Sequence, residues 1–95
     1  MTAYPELEVR RKLAEFEGWE LGDDGQLHKT FTLKDFSRAL LFINAVGHLA
    51  EAADHHPDIL VFSYRNVRIS TSTHSEGGIT DKDFELIERI EELMA

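Results

Sequence analysis

Apolar side chains recur along this chain in two rhythms, and the changes of rhythm mark its elements. Near the start, Val9, Leu13 and Phe16 fall four and three residues apart, which aligns them on one face of a helix. A helix over residues 5–17 is predicted. Pro5 suits its first turn, where a missing N–H leaves no hydrogen bond unmade, and Gly18 is a natural stop. Trp19 and Leu21 read as a short strand. Asp23, Asp24 and Gly25 make a turn, because glycine reaches positive φ without a steric clash. Leu27, Lys29 and Phe31 then alternate with His28, Thr30 and Thr32, the period of a half-buried strand.

Thr32, with Asp35 three residues on, resembles a capping box opening a long helix over residues 32–54. Phe36, Leu40, Ile43, Val46, Gly47 and Ala50 mark one face of it. Leu41, Phe42, Ala45, Leu49, Ala52 and Ala53 widen the apolar surface well beyond that face. A helix apolar nearly all round asks for cover on two sides. One side is expected on a sheet and the other against a second copy of the chain. Pro57 forces the chain out of helix and biases His56 toward an extended conformation. Residues 59–64 are rich in strand formers, Arg65 and Asn66 suit a two-residue turn, and residues 67–74 form the partner strand. Val67, Ile69 and Thr71 share one face of that strand; Arg68, Ser70, Ser72 and His74 share the other. Thr80 caps the last helix with Asp83 at the box position, and Phe84, Ile87, Ile90, Leu93 and Met94 are its apolar stripe. Helices alternating with hairpins rather than with single strands predict an α+β domain with an antiparallel sheet.

A length of 95 residues, 42% hydrophobic and 29% charged, fits one domain over residues 1–95. The net charge of −8 lacks the basic stripe of a nucleic-acid binder and favours a neutral or weakly polar ligand. No apolar run approaches the roughly 18–20 residues of a membrane span. The first residues lack the apolar stretch of a secretory signal, and there is no cysteine. Disulfides, thiol nucleophiles and cysteine-bound metals are thereby excluded, and a cytoplasmic location is expected.

Candidate chemistry concentrates where the long helix ends, at Glu51, Asp54, His55, His56 and Pro57. Glu51 and His55 stand four apart, so they share a helix face and are expected to touch. Histidine titrates near neutrality, and two adjacent imidazoles at a rigid exit present two proton carriers in different directions. The same triplet can also simply terminate a helix with both rings in water. His74 alone reads as a surface residue, Asp83 as a cap, and Tyr64 as a packed strand aromatic. His28 and His48 read as incidental.

Taken together, the spacings change the picture. Glu51 precedes His55, His56 and Pro57 by three residues; six more lead to Tyr64, nine more to His74 and eight more to Asp83. Gly18 and Trp19 lie upstream, as do Phe31, Lys34, Asp35, Phe36, Ala39 and Phe42. In order and spacing, over essentially the whole chain, this pattern resembles the pterin-4a-carbinolamine dehydratases. The resemblance implies a four-stranded antiparallel sheet with three helices on one face, assembled as a dimer or tetramer through sheet edges and long helices. It implies dehydration of a 4a-hydroxytetrahydropterin, with no metal and no redox cofactor. By the same resemblance His55, His56 and His74 are the acid and base set. Asp54, Ser72 and Thr73 match positions lining the pterin site, Glu51 orients His55, and Asp83 supports the site. Ser75 stands where some relatives carry an acid, so it receives no role. The six residues before Tyr64 leave room for a bulge or strand slip, and Asp81 competes with Asp83 for the last acidic position.

Other readings use the same residues. Three histidines with Glu51 are suitable zinc or iron ligands, although adjacent histidines rarely share one ion. Some relatives bind a transcription factor through the long helix, which would make this an interaction module. A different pterin, as in molybdopterin metabolism, would retain the histidines.

Overall fold

The computed structural model describes residues 2–95. In chain order the elements are α1 (Glu6–Leu13), β1 (Glu20–Leu21), β2 (Leu27–Thr32), α2 (Phe36–Ala53), β3 (Asp58–Phe62), β4 (Asn66–Thr71), a short 3-10 turn (His74–Glu76) and α3 (Asp81–Met94). The strands form one antiparallel sheet in the order β1-β2-β4-β3. Three helices cover one face, giving the expected α+β fold. Alternation drives this arrangement. Leu27 and Phe31 of β2, with Val67, Ile69 and Thr71 of β4, turn inward and are buried. There they meet Ala39, Phe42 and Val46 of α2 and Leu86, Ile87 and Ile90 of α3. Each fully buried aliphatic side chain is worth about 1.5–3 kcal/mol relative to exposure. Among the described residues, no helix is long and apolar enough to cross a membrane.

Several boundaries differ from expectation, each for a local reason. Helix α1 ends at Leu13 rather than at residue 17. The following turn tightens to i,i+3 bonds, Glu15 N–H to Lys12 and Phe16 N–H to Leu13. This lets Phe16 stack on Phe84, with ring centroids 6.0 Å apart. Thr32 does not cap α2. Its hydroxyl is used in the sheet, donating to Asn66 Oδ1 at 2.8 Å. Asp35 is the cap, its carboxylate accepting from the Arg38 N–H at 2.8 Å.

Register moves the second turn. Asn66 pairs with both Thr32 and Phe62, so it stays in the ladder. The chain reverses through residues 63–65, with Ser63 and Tyr64 at φ 48° and 54°. Such values are uncommon outside glycine and mark a tight reversal. Tyr64 therefore leaves the strand and stands 61% exposed. Pairing of β3 with β4 runs unbroken from Asp58 and Ser70 to Phe62 and Asn66, without bulge or slip. Strand β4 ends at Thr71 rather than His74, because β2 begins at its partner Leu27 and β3 at Asp58. Thr73 instead bridges to Gly78, closing a loop that holds the 3-10 turn.

The buried stripe of α2 is Ala39, Phe42, Val46 and Ala50. Phe36 and Leu40, read on one face with Val46 and Ala50, are exposed together with Leu41. Helix α3 buries Phe84, Ile87 and Ile90 as expected, and Leu86 with them, whereas Leu93 and Met94 stay exposed.

Candidate active site

Asp54 sets the geometry. It closes α2 in the left-handed region, at φ 51° and ψ 44°, which aspartate tolerates better than most residues. Its N–H bonds back to the carbonyls of Ala50 and Glu51, and the His55 N–H reaches Ala50 at 3.1 Å. This step lifts His55 off the helix face. The contact expected between Glu51 and His55 is therefore not made. Glu51 instead accepts a hydrogen bond from His56 Nε2, and both side chains are exposed.

His55 turns inward and is only 9% exposed. Its Nε2 donates to Asp83 Oδ1 at 2.7 Å. Asp83 is fully buried at 0% exposure. The Thr71 hydroxyl also donates to Oδ1, at 2.7 Å. Oδ2 accepts from the Thr73 hydroxyl at 2.7 Å and the Thr80 N–H at 2.9 Å. Asp83 thus completes the capping box of α3 and grips the imidazole with the same carboxylate. Asp81 plays no part in this cluster; it accepts from the Tyr4 hydroxyl.

An ionised carboxylate only accepts hydrogen bonds, so the proton sits on His55 Nε2. Nδ1 is left for other partners, an acceptor on the neutral ring and a donor on the charged one. The ring borders a cavity of about 270 Å³, walled by Leu49, Ala53, Lys82 and Leu86 among others.

His74 is exposed at the start of the 3-10 turn. It borders a different cavity, of about 260 Å³, with Ser72, Gly77, Gly78 and the turn residues Asp24, Gly25 and Gln26. The Thr73 hydroxyl points the other way, between Asp83 and Thr80. So His55, Thr73 and Asp83 form one cluster, Glu51 and His56 a second, and Ser72 and His74 a third. Asp54 is exposed at the helix end beside the first two.

Two features escaped the sequence. Thr71 is a buried partner of the central cluster, and a threonine on the apolar face of β4 was its signal. His28, which looked incidental, sits between Asp24 and Ser70. Its Nε2 lies 2.9 and 3.0 Å from the two Asp24 oxygens, and its Nδ1 lies 2.6 Å from Ser70 Oγ. The hydrogen bond from His28, aided by the Gln26 N–H, holds the Asp24 carboxyl at about 2, below its ordinary 3.8.

The sequence and the fold have close counterparts. The sequence profile of the family described as "Pterin 4 alpha carbinolamine dehydratase" matches residues 2–93. A relative from Sulfolobus acidocaldarius is 43% identical over 88 residues, 93% of this chain and 94% of the relative. One from Chloroflexus aggregans is 42% identical over 94 residues, 99% of each. Both carry the provisional name pterin-4-alpha-carbinolamine dehydratase. The crystal structure of a transcriptional coactivator/pterin dehydratase from Brucella melitensis superimposes with a TM-score of 0.91 at 29% identity, covering 99% of this chain and 100% of that one. The chain belongs to the pterin-4a-carbinolamine dehydratase family, whose named activity is that of a hydro-lyase. A pterin dehydratase-like protein described as a RuBisCO assembly factor in the alpha-carboxysome shares the fold, with a TM-score of 0.67 at 21% identity over 82% of this chain and 90% of that one.

Proposed function

We propose that this protein dehydrates 4a-hydroxytetrahydrobiopterin in tetrahydrobiopterin recycling, by acid–base catalysis from His55, His56 and His74. The C4a–O bond breaks, the N5–H proton leaves, a C4a=N5 double bond forms, and water departs. The hydroxyl leaves as water only if protonated, and N5 must lose its proton, so one donor and one acceptor are required. Imidazoles that titrate near neutrality suit both tasks. The observation that carries this reading is the His55 ring, fixed through Nε2 by buried Asp83 with Nδ1 left open. A carboxylate that holds one ring nitrogen sets the tautomer and orients the other for proton transfer. Asp54, Ser72 and Thr73 complete the pterin site, Ser72 beside His74 and Thr73 through its brace on Asp83.

The chain acts as a homo-oligomer in the cytoplasm. Support for assembly comes from Phe36, Leu40 and Leu41, exposed on α2, and from Leu60 and Phe62, exposed on edge strand β3. The test is the disappearance of 4a-hydroxytetrahydrobiopterin with and without catalytic amounts of protein. Dehydration well above the spontaneous rate is the expected result. A rate equal to the spontaneous one, from folded protein, overturns the proposal.

A further inference from the structure

The cavity beside His74 has a second wall that no histidine supplies. The turn between β1 and β2 contributes Asp24, Gly25 and Gln26 to the cavity that Ser72 and His74 also line. This turn is tightly built. The Asp24 carboxylate accepts from the Gln26 backbone N–H at 3.0 Å and from Gln26 Nε2 at 3.3 Å. The same carboxylate accepts from His28 Nε2, and His28 Nδ1 meets Ser70 Oγ on the neighbouring strand. His28 and Ser70 are direct cross-strand partners, so the brace anchors the turn to the sheet itself. Gly22 lies against it so closely that a Cβ there would fall 2.7 Å from the His28 ring and 2.8 Å from Asp24. The Gly22 N–H also ties to the Gln26 carbonyl at 2.8 Å.

Asp24, His28 and Ser70 have the chemistry of an acid, a base and a nucleophile. Ser70 is only 8% exposed, so the trio acts as a brace rather than as a second catalytic centre. What the brace holds is Gln26. With Nε2 committed to Asp24, the amide oxygen has no protein donor among the described residues. It is a positioned, neutral acceptor on a cavity wall.

We infer that Gln26 is a substrate-positioning residue, its amide oxygen accepting from the donor edge of the pterin pyrimidinone across the cavity from His74. The inference rests on the dehydratase reading above. In a pterin the amino-bearing C2 lies para to C4a, and N3–H sits beside it. A ring whose C4a and N5 address His74 therefore directs its donors away from that side chain, toward the opposite wall. A neutral acceptor matches these neutral donors, and the charge of Asp24 is already spent on Gln26 and His28.

The experiment compares Gln26→Leu with wild type in dehydration of 4a-hydroxytetrahydrobiopterin and in fluorescence titration with 7,8-dihydrobiopterin. One lost hydrogen bond predicts a KM and a dihydropterin Kd about tenfold higher, with kcat reduced less than about threefold. Asp24→Asn, which loosens the turn but keeps Gln26, is expected to give a smaller rise in KM. A 2-deamino analogue should lose its discrimination between wild type and Gln26→Leu. Unchanged KM and Kd in a folded Gln26→Leu variant overturn the assignment while leaving the dehydratase reading intact. If wild type binds dihydrobiopterin without catalysing, the Kd comparison alone decides. If wild type neither dehydrates nor binds, both readings fall.

Discussion

Four donors converge on the Asp83 carboxylate: two threonine hydroxyls, a backbone N–H and an imidazole N–H. An amide in its place could accept at one atom only and would set a donor against donors. Asp83→Asn is therefore predicted to cost about 2–3 kcal/mol in urea unfolding and to lower activity by freeing the His55 tautomer. An unchanged unfolding midpoint would contradict the network. Asp24 offers a second test. Its carboxyl titrates at about 2 in the fold against an ordinary 3.8, so between those values the folded chain binds fewer protons than the unfolded one. The stabilisation it contributes is complete above 3.8 and is lost as pH falls through about 2. The stability advantage of wild type over Asp24→Asn should shrink across that window, and a constant gap would count against the brace. At this scale the sequence revealed residue types better than partners. Glu51 and His55 have the right spacing for contact, but one left-handed residue, Asp54, reassigns Glu51 to His56. His28 could not be paired with Ser70 without knowing which strands are neighbours.

Elements were more legible, because periodicity reports them directly. The strand face of Val67, Ile69 and Thr71 and the capping box of Thr80 and Asp83 were both readable from spacing, and both appear in the fold. Boundaries were less so. Thr32 and Asp35 both suit a cap, and only the ladder pairing of Thr32 with Asn66 decides for Asp35. Asp35→Ala should accordingly destabilise by about 1 kcal/mol in thermal or urea unfolding, the usual worth of an N-cap. An equal or greater loss from Thr32→Ala, with none from Asp35→Ala, would reverse that assignment. The turn at residues 63–65 was misplaced for a similar reason. Asn66 is a good left-handed residue, yet its register with Thr32 and Phe62 keeps it extended.

Across the whole molecule, the breadth of the apolar surface on α2 was the clearest signal and the one a single chain satisfies least. Leu41 is 60% exposed. Leu41→Glu is predicted to lower the mass measured by light scattering without unfolding the chain, and an unchanged mass would argue against assembly through this face. The three histidine positions also separate at this scale. His55 is buried on Asp83, His56 is exposed on Glu51, and His74 borders a different cavity. The spacing pattern named these residues but could not show that division. The most direct test of the central claim is the dehydration rate of 4a-hydroxytetrahydrobiopterin with wild type, His55→Ala and His74→Ala, each confirmed folded by circular dichroism. Losses of about 100- to 10,000-fold in catalysed rate for each variant are predicted, the usual contribution of a general acid or base. Wild-type rates from both variants would contradict the histidine mechanism.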